Sequence, residues 1–158
     1  EGRLLYKVCP LYLKMEDIKM AEFTSIFIQQ VESRQNALLT EDAVRSRCVN
    51  HRSGSGLVCV ANSGTDCNPA RYRVYAKANI AIPTGGTVGP ISLALALNGE
   101  VLQSSLATVT PAAVEDFFNV SFEEIICAGK CPVNLAVVNP NAQTIEVENL
   151  TLIVEREC

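Results

Sequence analysis

Two strict period-two alternations between Arg71 and Gly99 constrain this chain more than any other feature. In the first, Tyr72, Val74, Ala76, Ala78, Ile80 and Ile82 are apolar, while Arg71, Arg73, Lys77 and Asn79 fall between them. Successive side chains of a strand point to opposite faces, so the pattern suits a strand with one face in a core and the other in water. Pro83, Gly85, Gly86, Gly89 and Pro90 stop the run. Ile91, Leu93, Leu95 and Leu97 then resume it against Ser92, Ala94, Ala96 and Asn98. Asn98-Gly99 predicts a type I′ hairpin turn, because both residues tolerate positive φ, with the chain returning through Val101 to Val109.

The same period recurs downstream in Phe118/Val120/Phe122, Val133/Leu135/Val137 and Leu150/Leu152/Val154. Ala128-Gly129-Lys130 and Asn139-Pro140-Asn141 supply the breaks between these runs. Upstream, FTSIFIQQV from Phe23 reads as a first strand and ESRQNALLTEDAV as a second, with Ala37, Leu39 and Val44 on its apolar face. The glycine-punctuated stretch around Leu57 to Val60 reads as strand, turn, strand and loop, and a single helical turn is expected around Pro111 to Asp116. About eight to ten short strands must close or stack to hide their edges, which predicts an all-β, antiparallel jelly-roll sandwich. Its expected core includes Tyr72, Val74, Ile80, Ile82, Leu93, Leu95, Leu97, Phe118, Val120, Phe122, Leu135, Val137, Leu152 and Val154.

Residues 1–19, EGRLLYKVCPLYLKMEDIK, have no sustained period, and Lys7, Pro10 and Lys14 break up what would otherwise suggest a signal peptide. Met15-Glu16-Asp17 can be encoded by a purine-rich ribosome-binding element set just before Met20. The expectation is therefore a leader over 1–19 outside the natural fold, a single domain over 20–158, and synthesis in the cytoplasm without a signal peptide. A hydrophobic fraction of 48% in short runs predicts no membrane insertion. The formal charge of −4 argues against nucleic acid, whose binding needs a cationic surface. With no Trp and 6% aromatics, a sugar- or base-stacking platform is also disfavoured.

Chemistry-bearing residues are sparse. Cys48 and His51 have C-x2-H spacing, and Cys127 and Cys131 have C-x3-C spacing; together they are the candidate zinc ligands. The pairs lie far apart in sequence, so the plainer expectation is no metal and no cofactor. A cross-turn disulfide between Cys127 and Cys131 competes for the same thiols. Without an export signal the cysteines are expected mostly reduced, unless the protein reaches an oxidising exterior. His51 is the one histidine and lies in a glycine-rich loop, so no nucleophile–base pair is legible and no enzyme is expected. The acid pairs Glu115-Asp116, Glu123-Glu124 and Glu146/Glu148 suit solvated sheet faces better than a glycosidase or calcium site. Arg45, Arg47, Arg52, Arg71, Arg73 and Lys77 cluster within one stretch, which fits either an acidic partner's docking face or a charged edge that resists aggregation.

The segments HRSGSGLV, ARYRVYAKANIAIPTGGTVGPISLALALNGE, TPAAVEDFFNV and NLTLIVER resemble small proteins of Gram-positive gut bacteria and their phages that have a tumour-necrosis-factor-like jelly roll. The resemblance implies a non-enzymatic structural or assembly subunit, either a virion component such as a head fibre or decoration protein, or part of the bacterial surface after assembly. It also implies association about a threefold axis. No Gly-X-Y repeat occurs in the chain, which favours a free-standing subunit over a spore filament. Alternatives are a glycan- or protein-binding adhesion module and a zinc-stabilised binding domain. The small outward residues Ser92, Ala94 and Ala96 would let a neighbouring subunit approach, and are the expected oligomer interface of a homotrimer.

Overall fold

The computed structural model describes residues 19–60, 67 and 69–157, so the expected leader lies outside the described residues except for Lys19. The strands are β1 (Met20–Ser25), β2 (Gln29–Val31), β3 (Glu41–Val44), β4 (Val49–His51), β5 (Val58–Val60) and β6 (Ala70–Ala81). They continue with β7 (Ile91–Leu97), β8 (Glu100–Val101), β9 (Ala107–Val109), β10 (Phe118–Ala128), β11 (Val133–Val138) and β12 (Ile145–Glu157). Among the described residues a 3-10 turn covers Gln103–Ser105 and no α-helix occurs. The helical turn expected near Asp116 is absent; Glu115 there adopts a left-handed φ of 58°.

All strand pairs are antiparallel and form two sheets. One has the order β10-β6-β12-β1-β3, with β2 also on β12; the other has β4-β5-β11-β7-β8, with β9 also on β7. The first and last strands lie side by side, from Met20 opposite Glu155 to Ser25 opposite Leu150. Between the sheets, Tyr72, Val74, Ala76, Ala78 and Ile80 of β6 meet the buried faces of β7 and β11, including Leu93, Leu95, Leu135 and Val137. Each large aliphatic side chain buried there contributes about 1.5–3 kcal/mol.

A one-residue change of phase organises the six-stranded sheet. In β12, Ile145 and Val147 face the core, and beyond Asn149 so do Leu150, Leu152 and Val154. Asn149, at φ 49°, is the bulge that absorbs the extra residue, and the register with β6 shifts between Glu148 and Thr151. The strand alongside must break at the same level. β1 pairs with Leu150 to Glu155 and β2 with Ile145 to Val147, so the single strand expected over FTSIFIQQV is two, and Ile26, Phe27 and Ile28 are expelled into solvent between them. The second expected strand survives only as β3, after an irregular stretch that buries Ala37 and Leu39.

Two core expectations are corrected. Phe118 is exposed because it opens β10, an edge strand, and Leu97 is only half-buried at the hairpin end of β7. Ile126 and Ala128 extend the buried face of β10 instead. Glu124 occupies the inward row between Phe122 and Ile126, an inward-pointing charge of the kind that discourages pairing at an open edge.

The Asn98-Gly99 turn has the expected positive φ values, 50° and 86°. The return strand is interrupted, however. After Val101 the backbone lifts into the 3-10 turn, and the buried Ser105 hydroxyl accepts the Leu95 N–H at 2.8 Å and donates to the Leu102 carbonyl at 2.7 Å, before β9 resumes the ladder at Ala107. A hydroxyl thus stands in for a missing backbone partner. Ser105→Ala should cost about 1–3 kcal/mol in a urea melt, because the Leu95 N–H would be left buried and unmet; a change of a few tenths would show that water replaces the hydroxyl.

Candidate assembly surface

The histidine and cysteine candidates do not converge. Cys48 is disulfide-bonded to Cys67, with Cα atoms 5.5 Å apart, while Cys127 and Cys131 are exposed free thiols. This corrects both the expected Cys127–Cys131 pairing and the availability of Cys48 as a metal ligand. The partner of Cys48 was not legible because β4 and the approach to β6 belong to different sheets, a proximity that only the finished sandwich creates. The His51 side chain is buried beside the ring of Phe23, with centroids 4.8 Å apart. Its Nδ1 lies 2.5 Å from Asp42 Oδ1 and its Nε2 2.9 Å from the Ser55 carbonyl. With both ring nitrogens engaged in a closed site, His51 ties β4 to β3 and to the 52–57 loop, and has no face left for a substrate.

The cation cluster is partly spent inside the chain. Arg45 binds Asp42 at 3.1 Å, and Arg73 binds both Glu123 at 3.2 Å and Glu157 at 2.9 Å. Among the acids, Glu148 accepts from Asn79 at 3.3 Å. Glu115 and Glu146, far apart in sequence, act on one another in the fold. Burial first, then Glu115, raise the Glu146 carboxyl above the ordinary range against a smaller opposing influence of Gln30, while Glu146, helped by Thr84, lowers Glu115.

On the outer face of β7, Ala94 is 0% and Ala96 3% exposed within a single chain, packed with Ala136, Val138 and half-buried Val101. Ser92 is half-buried and shares a hydrogen bond of 2.7 Å with Thr108. The alanines expected to receive a neighbouring subunit are therefore already covered by their own chain. Adjacent small side chains on β7 and β11 shield one another, so a face that looks bare in sequence is closed in the sheet.

The opposite outer face is different. Across the six-stranded sheet, Ile153 of β12 lies beside Tyr75 of β6, and Tyr75 beside Glu123 of β10. One row further along, Arg73 has Ile125 on one side and Glu155, then Met20, on the other. Ile125 is 55% and Met20 43% exposed, and Tyr75 and Ile153 are half-buried. Long apolar and aromatic side chains thus occupy outward positions across four adjoining strands, with the Arg73 ion pairs set among them.

Two antiparallel sheets with first and last strands adjacent define a jelly roll of the tumour-necrosis-factor and C1q kind. Solved structures with this fold include Eiger TNF from S. frugiperda (TM-score 0.67, 12% identity, covering 88% of this chain and 92% of that one). Murine APRIL at pH 5.0 is also similar, with TM-score 0.60, 10% identity and coverage of 86% and 97%. So is the globular domain of zebrafish complement 1qA protein, with TM-score 0.58, 10% identity and coverage of 89% and 96%. At these identities the likeness is one of fold. No protein-family model and no curated protein matches the sequence.

Proposed function

We propose that the chain is a non-enzymatic structural or assembly subunit that works as a homotrimer, as a head fibre or decoration on a virion or as a component of a bacterial surface. The observation that carries this reading is the outer face of the six-stranded sheet, where Ile125 and Met20 are exposed and Tyr75 and Ile153 half-buried. Apolar groups grouped on one sheet face favour association, and a second and third copy would bury them without a cofactor. The interface expected on Ser92, Ala94 and Ala96 accordingly moves to the other sheet. The Cys48–Cys67 bond supports maturation in an oxidising setting, as for a protein on the outside of a particle or cell.

Sedimentation of the purified chain at micromolar concentration should give three times the chain mass. Substituting Ile125→Arg and Ile153→Arg together should give a monomer with an unchanged β-sheet dichroism spectrum, since each uncompensated charge in a closed interface costs about 3–5 kcal/mol. A wild-type monomer under these conditions overturns the assembly reading. The adhesion-module alternative is favoured by a hollow of about 630 Å³ over β7, lined by Arg34, Ser92, Glu100, Gln103 and Asn141 among others. That volume suits a small glycan. Saturable binding on a glycan array, lost in Arg34→Ala, would carry that alternative instead.

A further inference from the structure

We propose that Glu115 and Glu146 hold one proton between them, and that this proton latches the 83–87 turn to the start of β12, releasing it when the proton is lost. Glu146 sits where β12 is flanked by Gln30 of β2 and Ala81 of β6, and is 7% exposed. Its Oε2 is buried and meets no hydrogen-bond partner. An ionised carboxylate there would leave charge on an oxygen that neither water nor a donor reaches, whereas a neutral carboxyl needs only its O–H satisfied. Glu115 is placed to accept it, since its own N–H is held on the Ile82 carbonyl, next to Ala81, which lies opposite Glu146.

Glu115 is in turn the hub of the turn. Its Oε1 accepts the Thr84 N–H at 2.8 Å and the Thr84 hydroxyl at 3.0 Å, and its own N–H donates to the Ile82 carbonyl at 2.8 Å. The far side of the turn is held separately: the Gln143 amide accepts from the Thr87 N–H and donates to the Thr87 carbonyl, each at 2.9 Å. Gly86 belongs there because a Cβ at that position would lie 2.5 Å from Ile82 Cγ2. The shared proton therefore governs one of two attachments.

The charges acting on Glu146 are Glu115, from the segment before β10, and Glu148, from β12 itself. Gln30 of β2 is neutral and favours the ionised form, but less than burial and Glu115 oppose it; Ala81 of β6 and Thr84 of the turn are neutral, and Asp116, next to Glu115, is exposed. Loss of the proton thus places like charges together with no cation among the groups acting on the site. With Glu146 raised, its contribution is complete below the ordinary glutamate range and is lost as pH rises through its elevated value. With Glu115 lowered, its contribution is present above the ordinary range and is lost as pH falls through its depressed value. Between the two, the pair titrates as a unit carrying one proton.

Carboxyl-detected NMR on the intact protein, with amide hydrogen exchange at Thr84, tests the latch. The Glu146 carboxyl should titrate above the ordinary glutamate range, and the Thr84 protection factor should fall about tenfold for each pH unit by which that ionisation is displaced. In Glu146→Gln the side-chain amide donates to Glu115 at every pH, so Thr84 protection should stay flat across the same range. A Glu146 that titrates in the ordinary range, or an identical fall in the Gln variant, overturns the proposal. Should the variant fail to fold, a wild-type Thr84 transition whose midpoint departs from that of Glu146 overturns it as well.

Discussion

Replacing Asn139 by alanine is expected to lower stability by about 3 kcal/mol or more in urea unfolding, a large share of the roughly 5–15 kcal/mol that holds a domain folded. The side chain is fully buried and uses both ends. Its Nδ2 group donates to the carbonyls of Val31 at 2.8 Å, Glu32 at 3.2 Å and Gln143 at 2.8 Å. Its Oδ1 accepts from the Asn141 N–H at 2.9 Å and from the Asn141 amide at 2.7 Å. Asn141 carries the network onward, accepting the Ser92 N–H at 2.9 Å and donating to the Ser92 carbonyl at 2.7 Å. One amide thus fixes the end of β2, the β11–β12 connection and the start of β7. Asn139→Asp is the sharper control, because it keeps the acceptor but turns a second oxygen toward three carbonyls; it should be at least as damaging at neutral pH. A loss below about 1 kcal/mol in both variants would mean that water enters and satisfies the orphaned groups.

What the sequence made legible follows from physics that is local along the chain. In β6, β7, β11 and the second half of β12 the period of two names the core-facing row, because a slip of one would turn every apolar side chain of that row outward. The Asn98-Gly99 turn was legible for the same reason, its conformation being set by two adjacent residues. Features set by a neighbouring strand were not. The break between β1 and β2 answers a bulge at Asn149 that lies more than a hundred residues away, and within FTSIFIQQV nothing marks Ile26, Phe27 and Ile28 as expelled. A signal did exist in β12, where the apolar positions change from odd to even across Asn149.

The candidate surfaces depend on neighbouring strands in the same way. Ser92, Ala94 and Ala96 were correctly placed on the outer face of β7, but whether such a face is open depends on what β8 and β11 bring beside it, and these close it. The apolar outward positions on the other sheet were individually weak signals. Tyr75, Ile125 and Ile153 belong to three separate segments, and only register places them together. The Glu115–Glu146 pair is of this kind too: each residue reads alone as a solvated acid, and their meeting depends on the left-handed turn at Glu115.

Removing the Cys48–Cys67 bond is expected to cost about 3 kcal/mol, since it closes a loop of 19 residues and opening it restores that freedom to the unfolded chain. For a domain of this size the melting temperature should fall by roughly 10 °C. The bond crosses the sandwich, from the residue before β4 in one sheet to the approach to β6 in the other. The buried Tyr72 hydroxyl reinforces the attachment by donating to the Cys67 carbonyl at 2.9 Å. Burial holds that phenol above its ordinary range against the opposing influence of Arg156, so the donor keeps its proton until strongly alkaline pH, and its contribution is lost only as pH rises through the elevated value. Cys48→Ser with Cys67→Ser should therefore weaken the junction but leave the Tyr72 contact to hold part of it, and adding Tyr72→Phe should cost more than the two changes summed separately. Thiol alkylation checks the premise. Exposed Cys127 and Cys131 should label in the folded protein, and Cys48 and Cys67 only after reduction and unfolding. Labelling of Cys48 in untreated protein, or a melting temperature that ignores reductant, would remove the bond from the account and with it the argument for an oxidising destination.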